Sequence, residues 1–294
     1  MNTQGGIGIK IIDSHQHFWK LERGDYDWLT EDMGILYRNY FPEDLKPTLE
    51  EFSVSGTILV QAAPTYEETL YLLSLYEKYE WIYGVVGWLD LSSSTFPEQL
   101  DFLMQKQGIV GLRPMLQDIE RDDWILQEQV IENLKLLISN ELSLDLLITE
   151  RHIPYIVALL ERLPDLRVVI DHIAKPEISK DGFEKWQADM TKLAKFPAAY
   201  CKLSGFMTLA DSWEAGDFTP YIHHVVQAFG SSRVMFGSDW PVSLLGGSYQ
   251  KAIQIVTDNL PSMLSGTEKE QIFSTNAESF YLQKERCEKY ETRK

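Results

Sequence analysis

The sequence predicts a (β/α)8 barrel, a fold in which parallel strands alternate with helices and close into a cylinder. The first observation is a series of eight short runs rich in apolar and β-branched residues, a composition typical of buried strands. The second is that the segments between them repeat apolar residues every three or four positions, as a helix with one buried face does. The third is that no Gly-x-Gly-x-x-Gly turn follows the first run, which disfavours an open, doubly wound sheet, the main alternative.

The eight apolar runs place the strands along the whole chain. They cover residues 11–18, 57–63, 82–89, 109–115, 143–149, 167–173, 199–205 and 233–239. The helical patterns cover residues 65–79, 97–107, 124–140, 154–163, 183–196 and 218–229, and one more helix follows Ser265. Residues 19–50, which are rich in aromatic and acidic side chains, predict a loop insert after the first strand that covers the barrel mouth. We therefore expect residues 1–294 to form a single TIM-barrel domain.

The composition limits the partners of the chain. Its formal net charge is -17, so a general affinity for nucleic acid or for anionic membranes is not expected. No run approaches the roughly 18 apolar residues of a membrane span, and the N-terminus lacks the pattern of a secretory signal. Two cysteines, Cys201 and Cys287, cannot build a disulfide framework. These features predict a cytoplasmic protein that acts on a small molecule, and they indicate no particular oligomeric state.

The carboxyl end of the first strand carries the first candidate catalytic residues, since barrel active sites lie at this end of the strands. It reads Asp13-Ser14-His15-Gln16-His17, and alternation along a strand puts His15 and His17 on the same face. Two imidazoles at this spacing converge on one point, as a metal ion or a polarised carbonyl oxygen requires. A hydrogen-bonded pair of structural histidines is the alternative that this pattern alone leaves open.

The sixth and eighth strands end in two further polar residues. His172 follows an apolar run in the sixth strand, and Asp239 follows one in the eighth. An aspartate beside three histidines can deprotonate a water molecule, so Asp239 is the candidate general base and the imidazoles would hold the electrophile. As an alternative, Asp239 could cap a following helix that has Pro241 in its first turn.

Five motifs occur in order along the chain: IDSHQHFW at residues 12–19, GLRP at 111–114, DHIAKP at 171–176, KLSG at 202–205 and FGSDWP at 236–241. With them the chain resembles the amidohydrolase superfamily, and within it the sugar-lactonase-like group of L-fuconolactonases, L-rhamnonolactonases and 2-pyrone-4,6-dicarboxylate lactonase. The resemblance covers nearly the whole chain. It implies a (β/α)8 fold and hydrolysis of a lactone, with the reacting centre formed by His15, His17, His172 and Asp239.

Other polar and aromatic residues at the strand ends are candidates for substrate binding. They are Arg113, Lys175, Lys202, Ser204, Trp19, Trp88 and Trp240. The arginine could fork onto a carboxylate or a ring hydroxyl, with a structural ion pair as the alternative. The two lysines and the serine could contact substrate oxygens. Each tryptophan could stack on a sugar ring, and simple packing explains each of them equally well.

The resemblance leaves the metal content open. Many members of the superfamily hold two metals bridged by a modified lysine on the fourth strand, where this chain has Arg113, so a binuclear centre is not expected. His15, His17 and Asp239, with His172 or a water, could bind one Zn²⁺ or Mn²⁺. The lactonase-like group also includes enzymes that work without a metal. We therefore expect a site able to bind one divalent ion, with metal-free hydrolysis as the open alternative.

The expected activity is hydrolysis of a small sugar lactone of the L-fucono or L-rhamnono type. Few basic residues mark the strand ends, which favours a neutral substrate, although Arg113 and two lysines keep an acidic one open. The alternative activity is that of a zinc-dependent non-oxidative decarboxylase of the same superfamily. A clear histidine on the fifth strand would favour that alternative, and His152 is only a weak candidate for it.

Overall fold

Eight parallel strands form a nearly closed barrel in the computed structural model, which describes residues 9–178, 182–209 and 218–282. Neighbouring strands pair in sequence order. They are Ile11–Gln16 (β1), Val54–Val60 (β2), Ile82–Gly87 (β3), Ile109–Leu112 (β4), Ser143–Leu146 (β5), Val168–Ile170 (β6), Ala199–Leu203 (β7) and Val234–Phe236 (β8). Every predicted strand is confirmed, and each ends two or three residues earlier than predicted. Residues 1–8 and 283–294 of the predicted single domain lie outside the described part of the chain.

Helices surround the barrel and follow its strands. They are Pro42–Glu51 (α1), Tyr66–Lys78 (α2), Phe96–Met104 (α3), Glu128–Ser139 (α4), Ile153–Arg162 (α5), Phe183–Ala194 (α6), Thr219–Phe229 (α7), Tyr249–Asn259 (α8), Gly266–Glu270 (α9) and Asn276–Tyr281 (α10). Helices α1 and α8 were not predicted, and α1 occupies the end of the range predicted as a loop insert. Pro42 and Pro47 obscure its helical pattern in the sequence. Among the described helices, none has both the length and the apolar character of a membrane span.

Hydrogen bonds between β1 and the segment after β8 close the barrel at its mouth. The Asp239 N–H donates to the His15 carbonyl oxygen at 2.8 Å, and the His17 N–H donates to the Trp240 carbonyl oxygen at 2.7 Å. Below them, the buried Asp13 carboxylate accepts two hydrogen bonds from the same segment, at 2.8 and 2.6 Å. Closure of the barrel therefore fixes the paired histidines of β1 relative to Asp239.

The apolar core has two parts. An outer layer lies between the strands and the helices, and a smaller cluster fills the inside of the barrel. The inner cluster includes the strand residues Ile12, Ile58, Val60, Val86, Val110, Val169 and Met235. Phe280, Tyr281 and Leu282, at the end of α10, belong to the same cluster, so the last described helix closes the lower end of the barrel. The barrel is thus a packed core below its mouth.

Buried polar groups fasten the insert between β1 and α1 to the barrel. Its two ends pair through two backbone hydrogen bonds of 3.1 and 3.0 Å. The Trp28 indole N–H donates to the Ala62 carbonyl oxygen, directly after β2, at 2.7 Å. Glu68 of α2, which is fully buried, accepts from the Ala62 N–H and from the Tyr26 hydroxyl. These contacts hold Trp28 beside the carboxyl end of β2.

Replacing Glu68 with Gln is expected to change how stability depends on pH. Burial raises the pKa of the Glu68 carboxyl from 4.5 to about 7, so the folded state holds this proton more tightly than the unfolded state does. This group should therefore cost the unmodified protein about 3 kcal/mol of stability as pH rises from 4.5 to about 7. Because an amide does not ionise, Glu68→Gln should not lose this part of its unfolding free energy. The stability of the variant relative to the unmodified protein should therefore increase as pH rises over this interval. Urea denaturation at a series of pH values measures the difference.

Glu67→Gln is the matched control, because the neighbouring Glu67 side chain is exposed. Its stability should follow the pH dependence of the unmodified protein. If Glu68→Gln also followed it, the buried carboxyl would not have the raised pKa on which this prediction rests.

Candidate active site

A buried carboxylate and three imidazoles meet at the mouth of the barrel. The Oδ1 atom of Asp239 lies 3.4 Å from Nε2 of His17, 3.7 Å from Nε2 of His15 and 4.0 Å from Nε2 of His172. All four side chains are buried. The structure thus brings together the four residues that were predicted to form the reacting centre. The Asp239 carboxylate faces the imidazoles, which favours the role of a base over that of a helix cap.

One ring nitrogen of His17 is committed to the backbone. Its Nδ1 lies 2.8 Å from the Val60 carbonyl oxygen, which can only accept, so Nδ1 carries a hydrogen. In the neutral ring Nε2 then has a lone pair, which faces the Asp239 carboxylate. Nε2 of His17 and Oδ1 of Asp239 are both hydrogen-bond acceptors, and at this distance they can share a donor or a cation that lies between or beside them. The pair can therefore orient a water molecule or contribute to holding a metal ion.

His15 lies between two cations. Its Nδ1 is 3.1 Å from Nζ of Lys202, and its Nε2 is 3.2 Å from Nη1 of Arg113. The Asp171 carboxylate contacts both cations, at 3.0 and 3.2 Å, and lies 3.3 Å from Nδ1 of His15. Burial lowers the pKa of His15 well below its ordinary value and Lys202 lowers it further, so the ring is neutral at neutral pH.

His172 is carried by a left-handed turn of the backbone. The φ angles of His172, Ile173, Ala174 and Lys175 are 51°, 50°, 62° and 47°. A non-glycine residue in this region costs on the order of 1 kcal/mol or more, so four in succession form a strained segment. His172 and Lys175, three residues apart, both line the cavity described below. We interpret the strain as the cost of aiming these two side chains at one point.

Neighbouring groups hold the strained turn in place. The Trp186 indole N–H of α6 donates to the Ile173 carbonyl oxygen at 2.8 Å, and the Ser204 hydroxyl lies 2.9 Å from Nδ1 of His172. Gly205 has φ 73°, and a Cβ atom there would lie 2.6 Å from the His172 ring. The motifs DHIAKP and KLSG therefore meet in space, and the glycine of the second makes room for the histidine of the first.

The surroundings of Asp239 favour its ionised form. Burial opposes ionisation of Asp239, but His172, His17 and His15 outweigh it and hold the pKa of the carboxyl below its ordinary value. Burial also lowers the pKa of His172 to about 4. At neutral pH the centre consequently contains an ionised carboxylate, which is the form that a general base requires.

A cavity of about 270 Å³ opens above this centre. The predicted site residues that line it are His17, Arg113, His172, Lys175 and Asp239. The rest of its lining comes from the insert and from loops that follow the strands: Trp28, Met33, Ala62, Met115, Gln117, Asp118, Leu147, Thr208 and Val242. The volume lies below the roughly 300–1,000 Å³ of drug-sized pockets and suits a small molecule.

The remaining predicted substrate-binding residues do not line the cavity, and their assignment is corrected here. Lys202 and Ser204 are 0% and 1% exposed and lie in the barrel interior, where other side chains occupy their polar atoms. Trp19 and Trp240 are buried in an aromatic cluster with Tyr40, at ring distances of 5.2 Å each. Trp88 is half-buried and also lies outside the cavity lining. Packing explains Trp19 and Trp240.

Sequence reasoning missed the loop residues of the cavity. Trp28 and Met33 come from the insert, Gln117 and Asp118 follow β4, and Thr208 follows β7. Residues in irregular loops carry no periodic pattern that would indicate which way their side chains point. The aromatic composition of residues 19–50 was the one available signal, and it pointed to the segment without selecting the residue.

The donor set at the centre fits a divalent metal ion. In the described part of the chain, His15, His172 and Asp239 offer ligand atoms that all lie within 4.8 Å of one another. Nε2 of His17 contacts the same carboxylate and adds a further nitrogen donor. Imidazole nitrogens with a carboxylate oxygen suit Zn²⁺ or Mn²⁺. Arg113 lies 3.2 Å from Nε2 of His15 and competes with an ion for that nitrogen.

Comparison with known proteins places the chain among relatives of the same architecture. The sequence model of the amidohydrolase family matches residues 12–282. An L-fucono-1,5-lactonase of Burkholderia ambifaria is 40% identical over 244 residues, which cover 81% of this chain and 82% of the relative. An L-fucono-1,5-lactonase of Burkholderia multivorans is 35% identical, with coverages of 94% and 97%.

Solved structures agree with the sequence comparison. The crystal structure of an amidohydrolase from Burkholderia multivorans with bound zinc superimposes with a TM-score of 0.88 at 33% sequence identity, and covers 92% of this chain and 99% of the other. A match over nearly the whole barrel, together with relatives above 30% identity, shows the family. The chain belongs to the amidohydrolase family.

Proposed function

We propose that this chain is a lactone hydrolase that opens a small sugar lactone of the L-fucono-1,5-lactone type. The observation that carries the proposal is the Asp239 carboxylate, held among three imidazoles at the floor of a small cavity. The relatives at 40% and 35% identity are both L-fucono-1,5-lactonases, which supports this class of substrate. A cyclic ester needs an activated water and a site for negative charge on its carbonyl oxygen, and the cavity offers both.

In this proposal Asp239 accepts a proton from water while the water oxygen attacks the lactone carbonyl carbon. Oδ1 of Asp239 and Nε2 of His17 lie 3.4 Å apart and can both accept from one water, which turns a lone pair of that water towards the substrate. The new C–O bond gives a tetrahedral intermediate with a negatively charged oxygen. The ring C–O bond then breaks, and protonated Asp239 returns its proton to the departing ring oxygen, which gives a hydroxy acid.

Positive charge and N–H groups in the cavity stabilise the intermediate. Arg113 and Lys175 both line the cavity, so their charges favour the developing oxyanion. The Ser204 hydroxyl, when it donates to Nδ1 of His172, leaves the ring hydrogen on Nε2, where it can bond the same oxygen. Arg113, Lys175 and His172 can stabilise the oxyanion in this way without a bound metal ion.

The same centre would hold one divalent ion through His15, His172 and Asp239, with Nε2 of His17 as a further nitrogen donor. When bound, such an ion polarises a carbonyl oxygen and lowers the pKa of a bound water. The zinc in the related amidohydrolase structure from Burkholderia multivorans supports this assignment.

The cavity fits a neutral sugar lactone better than an acidic one. Of its two cations, Arg113 is paired with Asp171 at 3.2 Å, and Lys175 donates to the Gln117 amide oxygen at 2.5 Å. Asp118 adds a negative charge to the lining. The lining also offers apolar contacts from the aromatic ring of Trp28 and from the side chains of Met33, Met115, Leu147 and Val242. A deoxysugar ring presents a methyl group and hydroxyls, which match these two kinds of surface.

The decarboxylase alternative loses its main support. A histidine from the fifth strand at the centre would have favoured it, and His152 does not line the cavity. Its Nδ1 instead accepts the Thr149 N–H at 3.1 Å, at the start of the turn that precedes α5.

A panel of substrates tests the proposed function. The full chain is mixed with aldonolactones, including L-fucono-1,5-lactone, and separately with 2-pyrone-4,6-dicarboxylate and with hydroxybenzoates. We expect proton release from L-fucono-1,5-lactone above its spontaneous hydrolysis, and slower or no reaction with the dicarboxylate. Release of carbon dioxide from a hydroxybenzoate without lactone opening would replace the proposal with the decarboxylase activity.

Replacing Asp239 with Asn should remove most of the turnover while the protein stays folded. The amide cannot take a proton from water, and loss of one acid–base group costs about 10²–10⁴-fold in rate. Proton release from L-fucono-1,5-lactone measures the effect, and Asp258→Asn, on the exposed face of α8, is the control. Near-normal turnover of Asp239→Asn would rule out Asp239 as the general base.

Removal of metal by a chelator should leave measurable lactone hydrolysis, because Arg113, Lys175 and the imidazoles supply charge and hydrogen bonds without an ion. We expect the chelated protein to rebind about one Zn²⁺ per chain in a calorimetric titration, since the donors form one site. Asp239→Asn should weaken that binding. Complete loss of turnover after chelation, restored by Zn²⁺ alone, would contradict the metal-free route.

A further inference from the structure

Lys202 has no access to the cavity, although it belongs to one of the five motifs. Its side chain is fully buried inside the barrel. The Nζ atom lies 2.5 Å from Oδ2 of Asp145, 3.0 Å from Oδ1 of Asp171 and 3.1 Å from Nδ1 of His15. Of these contacts, those to Asp145 and His15 are hydrogen bonds that the ammonium group donates, and the contact to Asp171 is an ion pair. Its role must therefore be exerted through one of them.

The position of His15 raises a question of hydrogen placement. A neutral imidazole has one lone pair and one N–H group, yet Lys202 faces Nδ1 and Arg113 faces Nε2, and both are donors. Only one of the two cations can donate to the ring. The choice decides whether the nitrogen directed towards Asp239 carries a hydrogen or a lone pair.

We propose that Lys202 is a positioning residue, which donates to Nδ1 of His15 and thereby places the ring hydrogen on Nε2, the nitrogen that faces Asp239. The proposal rests on the lactone hydrolase function above and deepens it. In this form His15 is a hydrogen-bond donor at the reacting centre of the metal-free protein.

Two contacts favour Lys202 over Arg113 as the donor. Nζ of Lys202 lies slightly closer to the ring, at 3.1 Å, than Nη1 of Arg113, at 3.2 Å, and Nη1 has Oδ2 of Asp171 as an acceptor at the same 3.2 Å. With a hydrogen on Nε2, His15 also presents a positive edge to the Asp239 carboxylate, 3.7 Å away. The opposite arrangement would place a second imidazole lone pair, in addition to that of His17, against the same carboxylate.

The position of Lys202 is itself fixed from the closed end of the barrel. Oδ2 of Asp145, its nearest partner, accepts a hydrogen bond of 2.6 Å from the Tyr281 hydroxyl at the end of α10. A connected series of contacts thus runs from Tyr281 through Asp145 and Lys202 to His15. Partners of this kind, one step removed from the reacting groups, typically change activity by about 10–100-fold when they are altered.

The charges of the interior allow a variant that separates function from folding. Lys202 with Asp145 and Arg113 with Asp171 form two adjacent ion pairs. Removing one partner strands a buried charge, whereas removing a whole pair leaves the interior neutral and is tolerated much better. The test variant is therefore the double substitution Lys202→Met with Asp145→Leu, which retains the second pair.

The experiment compares this double variant with the unmodified full chain, without added metal. Selective ¹⁵N labelling of histidine and NMR spectroscopy report which ring nitrogen of His15 carries the hydrogen, with His15→Gln as the assignment control. We expect Nδ1 of His15 to be unprotonated in the unmodified chain and to acquire the hydrogen in the double variant, with Asp171 as the acceptor. The kcat for L-fucono-1,5-lactone should fall by about 10–100-fold while KM changes little.

Tyr281→Phe is the milder second variant, because it keeps both ion pairs and removes one hydroxyl. It should shift the His15 Nδ1 signal and lower kcat by less than the double variant does, again with little change in KM. Tyr83→Phe is its matched control, since that tyrosine packs on the same inner cluster and donates to the Ser55 carbonyl oxygen at 2.8 Å. We expect neither the His15 signal nor kcat to change in the control.

The NMR signal of His15 and the kinetic measurement distinguish the role of Lys202 from the lactone hydrolase function. A hydrogen on Nδ1 of His15 in the unmodified chain would overturn the role of Lys202 even if the lactone is hydrolysed. A folded double variant with unchanged kcat would overturn it as well, and if that variant does not fold, an unchanged His15 signal and kcat in Tyr281→Phe would do so. If the unmodified chain opens no lactone, the proposed function fails, and the NMR result still decides how Lys202 orients His15.

Discussion

Two backbone hydrogen bonds across the closure of the barrel set the distance between the paired histidines and Asp239. They join β1 to the segment after β8, and their lengths of 2.8 and 2.7 Å leave little freedom of register. A shift of one residue in a strand turns its side chains to the opposite face, so the reacting centre exists only in this register. The Asp13 carboxylate reinforces it through Ser238. The hydrogen bonds that close the barrel therefore also bring the residues of the site together.

The carboxylates beneath the cavity differ in their partners, and this difference selects the reactive one. Asp145 is paired with Lys202, and Asp171 contacts both Lys202 and Arg113. Asp239 has only imidazoles within ion-pair distance among the described residues. Asp145 and Asp171 are thus contacted by lysine and arginine side chains in the barrel interior, whereas Asp239 lines the cavity, where a bound water can reach it. Three acids of one type can therefore have different roles within one barrel.

The sequence was sufficient for the barrel, for its strands and for the four residues that meet at its mouth, because these depend on apolar runs and on the polar residues that end them. How deep a side chain lies along its strand was harder to predict from the sequence. Lys202 and Ser204, two residues and about 7 Å apart along a strand, both lie below the mouth, where they contact Asp145 and His172 rather than the cavity. The left-handed turn at His172 had no signal, since DHIAKP contains no glycine. Gly111 of GLRP has a packing reason that only coordinates show, as a Cβ atom there would lie 2.1 Å from Oγ of Ser143.

The closed end of the barrel connects the candidate site to the opposite side of the domain. Phe280, Tyr281 and Leu282 complete the inner cluster, and the Tyr281 hydroxyl completes the surroundings of Asp145. Without α10, the inner cluster and the buried carboxylate of Asp145 would be open to water from below, because the helix that covers them would be missing. A truncation or fusion that displaces this helix is therefore expected to disturb the residues beneath the cavity without touching the loops that line it.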